Sequence, residues 1–113
     1  MGHITIREIK GVWAVRADGA ILGESTRVLE MTEDDHAPVL YFPRKDIAMA
    51  FFDQTDKVSH CPHKGDATHF SIVNQSSTIE NGAWSYEAPN DIVAEIKGHI
   101  AFYKNADVQI ERL

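Results

Sequence analysis

One cysteine, Cys61, in 113 residues excludes an internal disulfide and any zinc site built from paired cysteines. No run reaches the roughly 18 apolar residues of a membrane-spanning helix, and MGHITIREIK carries no apolar signal segment. Cations are few and scattered: eleven Lys and Arg stand against seventeen Asp and Glu, for a net charge of −6. Neither half of the chain is basic, so the clustered cations that a nucleic-acid backbone demands are missing. G-x-S-x-G, the P-loop, G-x-G-x-x-G and H-E-x-x-H are all absent. Phosphoryl transfer with two metals needs carboxylates converging on one point; the one acidic cluster, Glu33-Asp34-Asp35, reads as a solvated loop. Gly2 lacks the Ser or Thr at position 6 that myristoylation wants, since Ile6 stands there. Asn74-Gln75-Ser76 is a glycosylation sequon only in form. The expectation is a cytoplasmic protein of one domain over 1–113, with a radius of gyration of about 13 Å. No contact with nucleic acid or membrane is expected, and a homodimer is compatible with the sequence.

What is present is mostly strand signal. Trp13, Val15 and Ala17 alternate with Ala14 and Arg16 and run into Asp18-Gly19, a hairpin turn whose two positions want positive φ. Ala20–Ser25 is the return strand, and Arg27–Met31 continues it or begins another. Val39-Leu40-Tyr41-Phe42, closed by Pro43, suits a buried strand. Ile47, Ala50 and Phe51 fall at helical spacing behind Asp46 as N-cap, which predicts one short helix over 45–53. Phe70 and Ile72, a polar turn at Asn74–Ser77 and a return over Ile79–Tyr86 predict a further hairpin. Ile100–Tyr103 and Val108–Ile110 close the chain around Asn105-Ala106-Asp107. About eight short strands and a single helix predict a mainly β domain.

Three segments carry chemistry. His60-Cys61-Pro62-His63-Lys64-Gly65-Asp66 reads as a loop in which Lys64 can stabilise the Cys61 thiolate, making it a nucleophile. The alternative is a small buried apolar cysteine. His60, Cys61, His63 and His69 do not have metal-site spacing, and in a strand His60 and Cys61 point to opposite faces, so no metal and no cofactor are expected. In Ala83-Trp84-Ser85-Tyr86-Glu87, period two puts Trp84 and Tyr86 on one face and Ser85 and Glu87 on the other. The aromatics either wall a pocket or fill the core; Glu87 is a candidate base, or a partner for Lys64. In Tyr41-Phe42-Pro43-Arg44, Arg44 can grip a carboxylate or phosphate, or be an ordinary loop arginine.

Taken in order, Tyr41-Phe42-Pro43-Arg44 with Asp46, Cys61-Pro62-His63-Lys64-Gly65-Asp66-Ala67, Trp84-Ser85-Tyr86-Glu87 with Pro89, and Ile100-Ala101-Phe102-Tyr103 resemble the bacterial family of domain of unknown function 427 over nearly the whole chain. The resemblance implies a β-tent, two antiparallel sheets at a steep angle, akin to the Mss4-like group and the ligand-binding domain of cereblon. Relatives there hold zinc with two cysteine pairs, which a chain with only Cys61 lacks. Tyr41, Arg44, Cys61, Lys64, Gly65, Trp84, Tyr86 and Glu87 match the family pattern, whereas His63 stands where the family usually has an aromatic. A label of nucleotidyl transfer attached to the family finds no phosphate loop here. The leading expectation is a small-molecule pocket between the Cys61–Gly65 loop and the Trp84–Glu87 strand, with Tyr41, Arg44, Gly65, Trp84 and Tyr86 binding. An enzyme using Cys61, Lys64 and Glu87, and a protein-interaction module, are the alternatives.

Overall fold

A computed structural model describes residues 3–75, 77–104 and 107–113. Gly2, Ser76 of the sequon, and Asn105-Ala106 between the closing strands lie outside the described residues. The fold is mainly β and antiparallel, with a radius of gyration of 13.5 Å. Among the described residues no helix is long and apolar enough to cross a membrane.

Among the described residues, ten strands form three sheets. The first orders β1 (Ile4–Glu8), β4 (Leu29–Glu33) and β5 (Val39–Tyr41). The second orders β10 (Val108–Arg112), β2 (Trp13–Ala17) and β3 (Ala20–Ser25). The third orders β6 (Phe52–Cys61), β7 (Gly65–Val73), β8 (Thr78–Ser85) and β9 (Ala101–Phe102). The resemblance implies two sheets where the ladders make three, but the first and third are stitched together. Phe42 and Ile100 exchange both backbone hydrogen bonds, each at 2.8 Å, in an isolated antiparallel bridge.

The hairpin at Asp18-Gly19 forms as its residues dictate, with φ of 49° and 82° and Ala17 opposite Ala20. The helix expected over 45–53 does not. Arg44–Asp46 and Met49–Phe51 are single 3-10 turns, separated by Ile47 in extended geometry (φ −112°, ψ 138°), and no side chain caps the first. Ile47 bridges Gly23, and the Ala48 N–H donates to the Leu22 carbonyl at 2.8 Å. Pairing with β3 thus takes a backbone donor that an α-helix would need. The chain then enters β6 at Phe52, within the span expected to be helical. A further 3-10 segment, Asp91–Ile96, has no counterpart in the sequence reading.

The third sheet divides two cores. Phe70, Ile72, Ala83 and Phe102 belong with Val15, Leu22, Val28 and Phe42 to a core shared with the second sheet. Ala67 and Ala101 belong with Met31, Tyr41, Tyr86, Val93 and Ile96 to a core shared with the first sheet and the 91–96 segment. Cover on both faces explains why His69, Phe70, Ser71 and Ile72 are buried in succession instead of alternating.

Candidate functional site

The segment 60–66 is the tip of a hairpin rather than a free loop. His60 and Cys61 end β6, Gly65 and Asp66 begin β7, and Cys61 faces Gly65 across the ladder. Pro62-His63-Lys64 makes the turn, closed by the Lys64 N–H on the Cys61 carbonyl at 3.2 Å. Gly65 has φ +109°, a backbone state that L side chains rarely adopt, so its demand is conformational. Asn90 clamps the tip from outside. Its N–H donates to the Lys64 carbonyl at 2.9 Å and its Nδ2 to the Pro62 carbonyl at 3.1 Å.

This geometry carries Lys64 away from Glu87 and onto Glu33. Lys64 Nζ donates to Glu33 Oε1 at 2.9 Å, and the side chains are only 16% and 14% exposed. Glu33 is therefore not part of a solvated acidic loop: it ends β4, and the solvent-facing turn starts one residue later, at Asp34 with φ 44°. The hydrogen bond from Lys64 holds the Glu33 carboxyl below its ordinary value, with the charges of Lys64, His36 and His63 acting in the same direction against burial. Cys61 is a free, half-buried thiol whose Sγ lies 3.8 Å from Lys64 Nζ. These groups open onto a cleft of about 440 Å³, whose other walls are Met31, His36, Ala37 and Val39.

Tyr41, Trp84 and Tyr86 pack behind the cleft. Tyr41 and Tyr86 are buried, and the Trp84 ring meets Tyr41 edge-on, with centroids 6.5 Å apart at 88°. Burial pushes the Tyr86 hydroxyl up to about 12, and Cys61, Tyr103 and Glu33 add to the shift. Burial raises Tyr41 further still, with Tyr86, Cys61 and Glu33 again contributing. The two phenols and the thiol thus share one electrostatic neighbourhood.

Arg44 and Glu87 form a separate cluster. Arg44 bonds Glu87, which also accepts from Ser85. Arg44 Nε donates to the Gly98 carbonyl at 3.0 Å, and the guanidinium stands 5.7 Å above the Phe70 ring. Phe70 belongs to the core on the other side of the third sheet. The alternation of Trp84 and Tyr86 with Ser85 and Glu87 is what sends these groups to different sides. A Lys64–Glu87 pair does not form.

His60 pairs with Asp66 at 2.7 Å on the exposed outside of the hairpin. His69 is fully buried, with Nε2 3.1 Å from the Tyr103 hydroxyl and its ring stacked on Tyr103. Among the described residues no three His, Cys, Asp or Glu side chains are grouped to hold a metal ion. Sequence reasoning missed Glu33, His36 and Asn90. Glu33 had a signal of a kind, since it stands at period two behind Leu29 and Met31; Asn90 had none.

No curated protein matches the chain. A family model described as a domain of unknown function (DUF427) matches residues 5–112. That match takes in both clusters and every described strand residue but Ile4, and the chain belongs to this family of unknown function.

Proposed function

We propose that the protein is a small-molecule-binding domain whose site is the cleft over the Cys61–Gly65 hairpin, walled opposite by the end of β4 and the turn into β5. The observation that carries this reading is the Lys64–Glu33 pair: two shielded opposite charges converging on an open cleft whose other lining includes Met31, Ala37 and Val39. Ligand sites are mostly apolar with a few fixed polar groups. The ligand would rest an apolar body on Met31, Ala37 and Val39, offer an acceptor to Lys64 and a donor to Glu33. Tyr41, Trp84 and Tyr86 back the cleft as rigid support without lining it, Gly65 sets the hairpin, and Arg44 with Glu87 braces the strand ends. We read the architecture as the β-tent of the Mss4-like group, supported by the Phe42–Ile100 bridge between the first and third sheets, and the compartment as the cytoplasm.

The test is a fragment screen by protein-observed NMR on wild type, Lys64→Ala and Trp84→Ala. Hits are expected to move the Glu33, Cys61 and Lys64 signals and to lose about tenfold or more affinity in Lys64→Ala. Hits that bind Lys64→Ala and Trp84→Ala as they bind wild type would sink the reading.

A second reading, thiol chemistry at Cys61, is favoured by the 3.8 Å approach of Lys64 Nζ to Sγ. A cation at that distance stabilises a thiolate. Alkylation by iodoacetamide, followed by intact mass, is expected to modify Cys61 in the folded protein and to slow in Lys64→Ala. A thiol inert in the folded protein overturns this reading and leaves the first intact.

A further inference from the structure

A second groove, away from the hairpin, is built around Arg112. Gly11 has φ +103°, and a Cβ there would stand 2.4 Å from Arg112 Nε and 3.1 Å from its Cζ. The guanidinium thus lies directly on the Gly11 backbone, in a seat that any side chain at position 11 would fill. Arg112 is the register partner of Trp13 across β10 and β2, so the two side chains emerge next to each other on one face. The indole is fixed as well, its Nε1–H donating to the Lys10 carbonyl at 3.0 Å.

Arg112, Trp13 and Lys10 border a groove of about 460 Å³ together with Arg7, Glu8 and Glu30. Its carboxylates are committed: Glu30 pairs with Arg7 at 2.9 Å and Glu8 with Arg27 at 3.5 Å. Among the described residues neither Arg112 nor Lys10 has a carboxylate within 4.0 Å. In a chain of net charge −6, two uncancelled cations beside an immobilised indole are a local reversal of sign.

We propose that this groove binds a small aromatic oxyanion, its carboxylate or phosphate held by Arg112 and Lys10 and its ring laid along Trp13. The planar guanidinium fork matches either oxyanion with two parallel hydrogen bonds. Because the fork is seated on Gly11 before the ligand arrives, less side-chain freedom is lost on binding. The cleft at Lys64 does not duplicate this chemistry, since Glu33 already neutralises its cation.

The experiment follows the Arg112 Nε–H and Trp13 Nε1–H signals by 1H–15N NMR during titration with phenyl phosphate, with benzoate, and with phenol as the uncharged control. Both signals are expected to shift together and saturate with at least one anion and to ignore phenol. Tighter binding of phenyl phosphate assigns the site to phosphates, and tighter binding of benzoate assigns it to carboxylates. Arg112→Gln, an exposed position, is expected to keep the remaining amide spectrum and lose about tenfold or more affinity. Gly11→Ala keeps the charge but evicts the guanidinium from its seat, and the same loss is expected. An absence of saturable shifts with both anions, or equal affinity in Arg112→Gln, overturns the proposal.

Discussion

Lys64 and Glu33, 31 residues apart, form an ion pair of 2.9 Å that is shielded on both sides and ties the β6–β7 hairpin to the end of β4. Glu33→Gln leaves the ammonium shielded with a weaker acceptor and is expected to lower stability by about 1–3 kcal/mol, read from urea unfolding at pH 7. The acid limb checks the same pair. A carboxyl held below its ordinary 4.5 contributes stability that is complete above that value and lost as pH falls through the folded pKa. Wild type should therefore lose stability below pH 4.5 more steeply than Glu33→Gln.

His69 supplies an acid response at higher pH. It is fully buried, its Nε2 meets Tyr103, and its Nδ1 has no hydrogen-bond partner among the described residues. Burial holds the imidazole below its ordinary 6.5, the Lys57 ammonium adds to this, and the carbonyls of Lys57 and Ala67 oppose it. The folded state prefers the neutral ring, so its contribution is complete above pH 6.5 and declines as pH falls below it. The unfolding midpoint of wild type is expected to drop from pH 6.5 downward, while His69→Gln, which keeps a hydrogen-bonding partner for Tyr103, stays flat just below 6.5. Parallel curves for the two proteins would show that His69 does not carry the response.

Arg44 is predicted to act as a brace. Its guanidinium joins the 44–46 turn to Glu87, Ser85 and the Gly98 carbonyl. The ion pair itself is 38% and 49% exposed and contributes at most about 1 kcal/mol, but loss of the bond to Gly98 adds to it. Arg44→Ala is expected to cost about 1–2 kcal/mol by urea unfolding, and Glu87→Gln less than half of that. Fragment affinity at the Lys64 cleft should be unchanged in Glu87→Gln.

Tyr41 and Tyr86 should be silent at the ordinary tyrosine pKa of 10. Burial raises Tyr41, Tyr86 and Tyr103, with Tyr86 at about 12. Absorbance titration at high pH is expected to show at most one of the three phenolates near 10 while the fold persists. A raised phenol pKa favours the neutral folded form, so stability falls as pH rises above 10. In Tyr86→Phe that alkaline loss should be smaller.

Local rules made much of this fold legible. Asp18-Gly19 announced its hairpin because both turn positions need positive φ, and the return strand Ala20–Ser25 followed, with a shift of register between Val15 and Arg16. Period-two alternation at 84–87 assigned Trp84 and Tyr86 to one side and Ser85 and Glu87 to the other. Followed through, that same alternation already argues against joining Glu87 to Lys64. The span 45–53 misled because Ile47, Ala50 and Phe51 do have helical spacing. What prevents the helix is the bridge from Ile47 to Gly23, a contact that local periodicity does not encode.

The candidate site divides along the same line. Its tip was chemically visible, though as a loop and not as a hairpin, since a cysteine, a lysine and a glycine within five residues mark a segment with a thiol and a cation. Alternation and turn chemistry, acting over two to four residues, determined the β2–β3 hairpin and the faces that residues 84–87 occupy. Only tertiary structure decided that Lys64 would meet Glu33, that Asn90 would clamp the turn, and that Arg112 would rest on Gly11. Each of these contacts joins segments brought together by sheet docking, whose register depends on burying both faces of the third sheet at once.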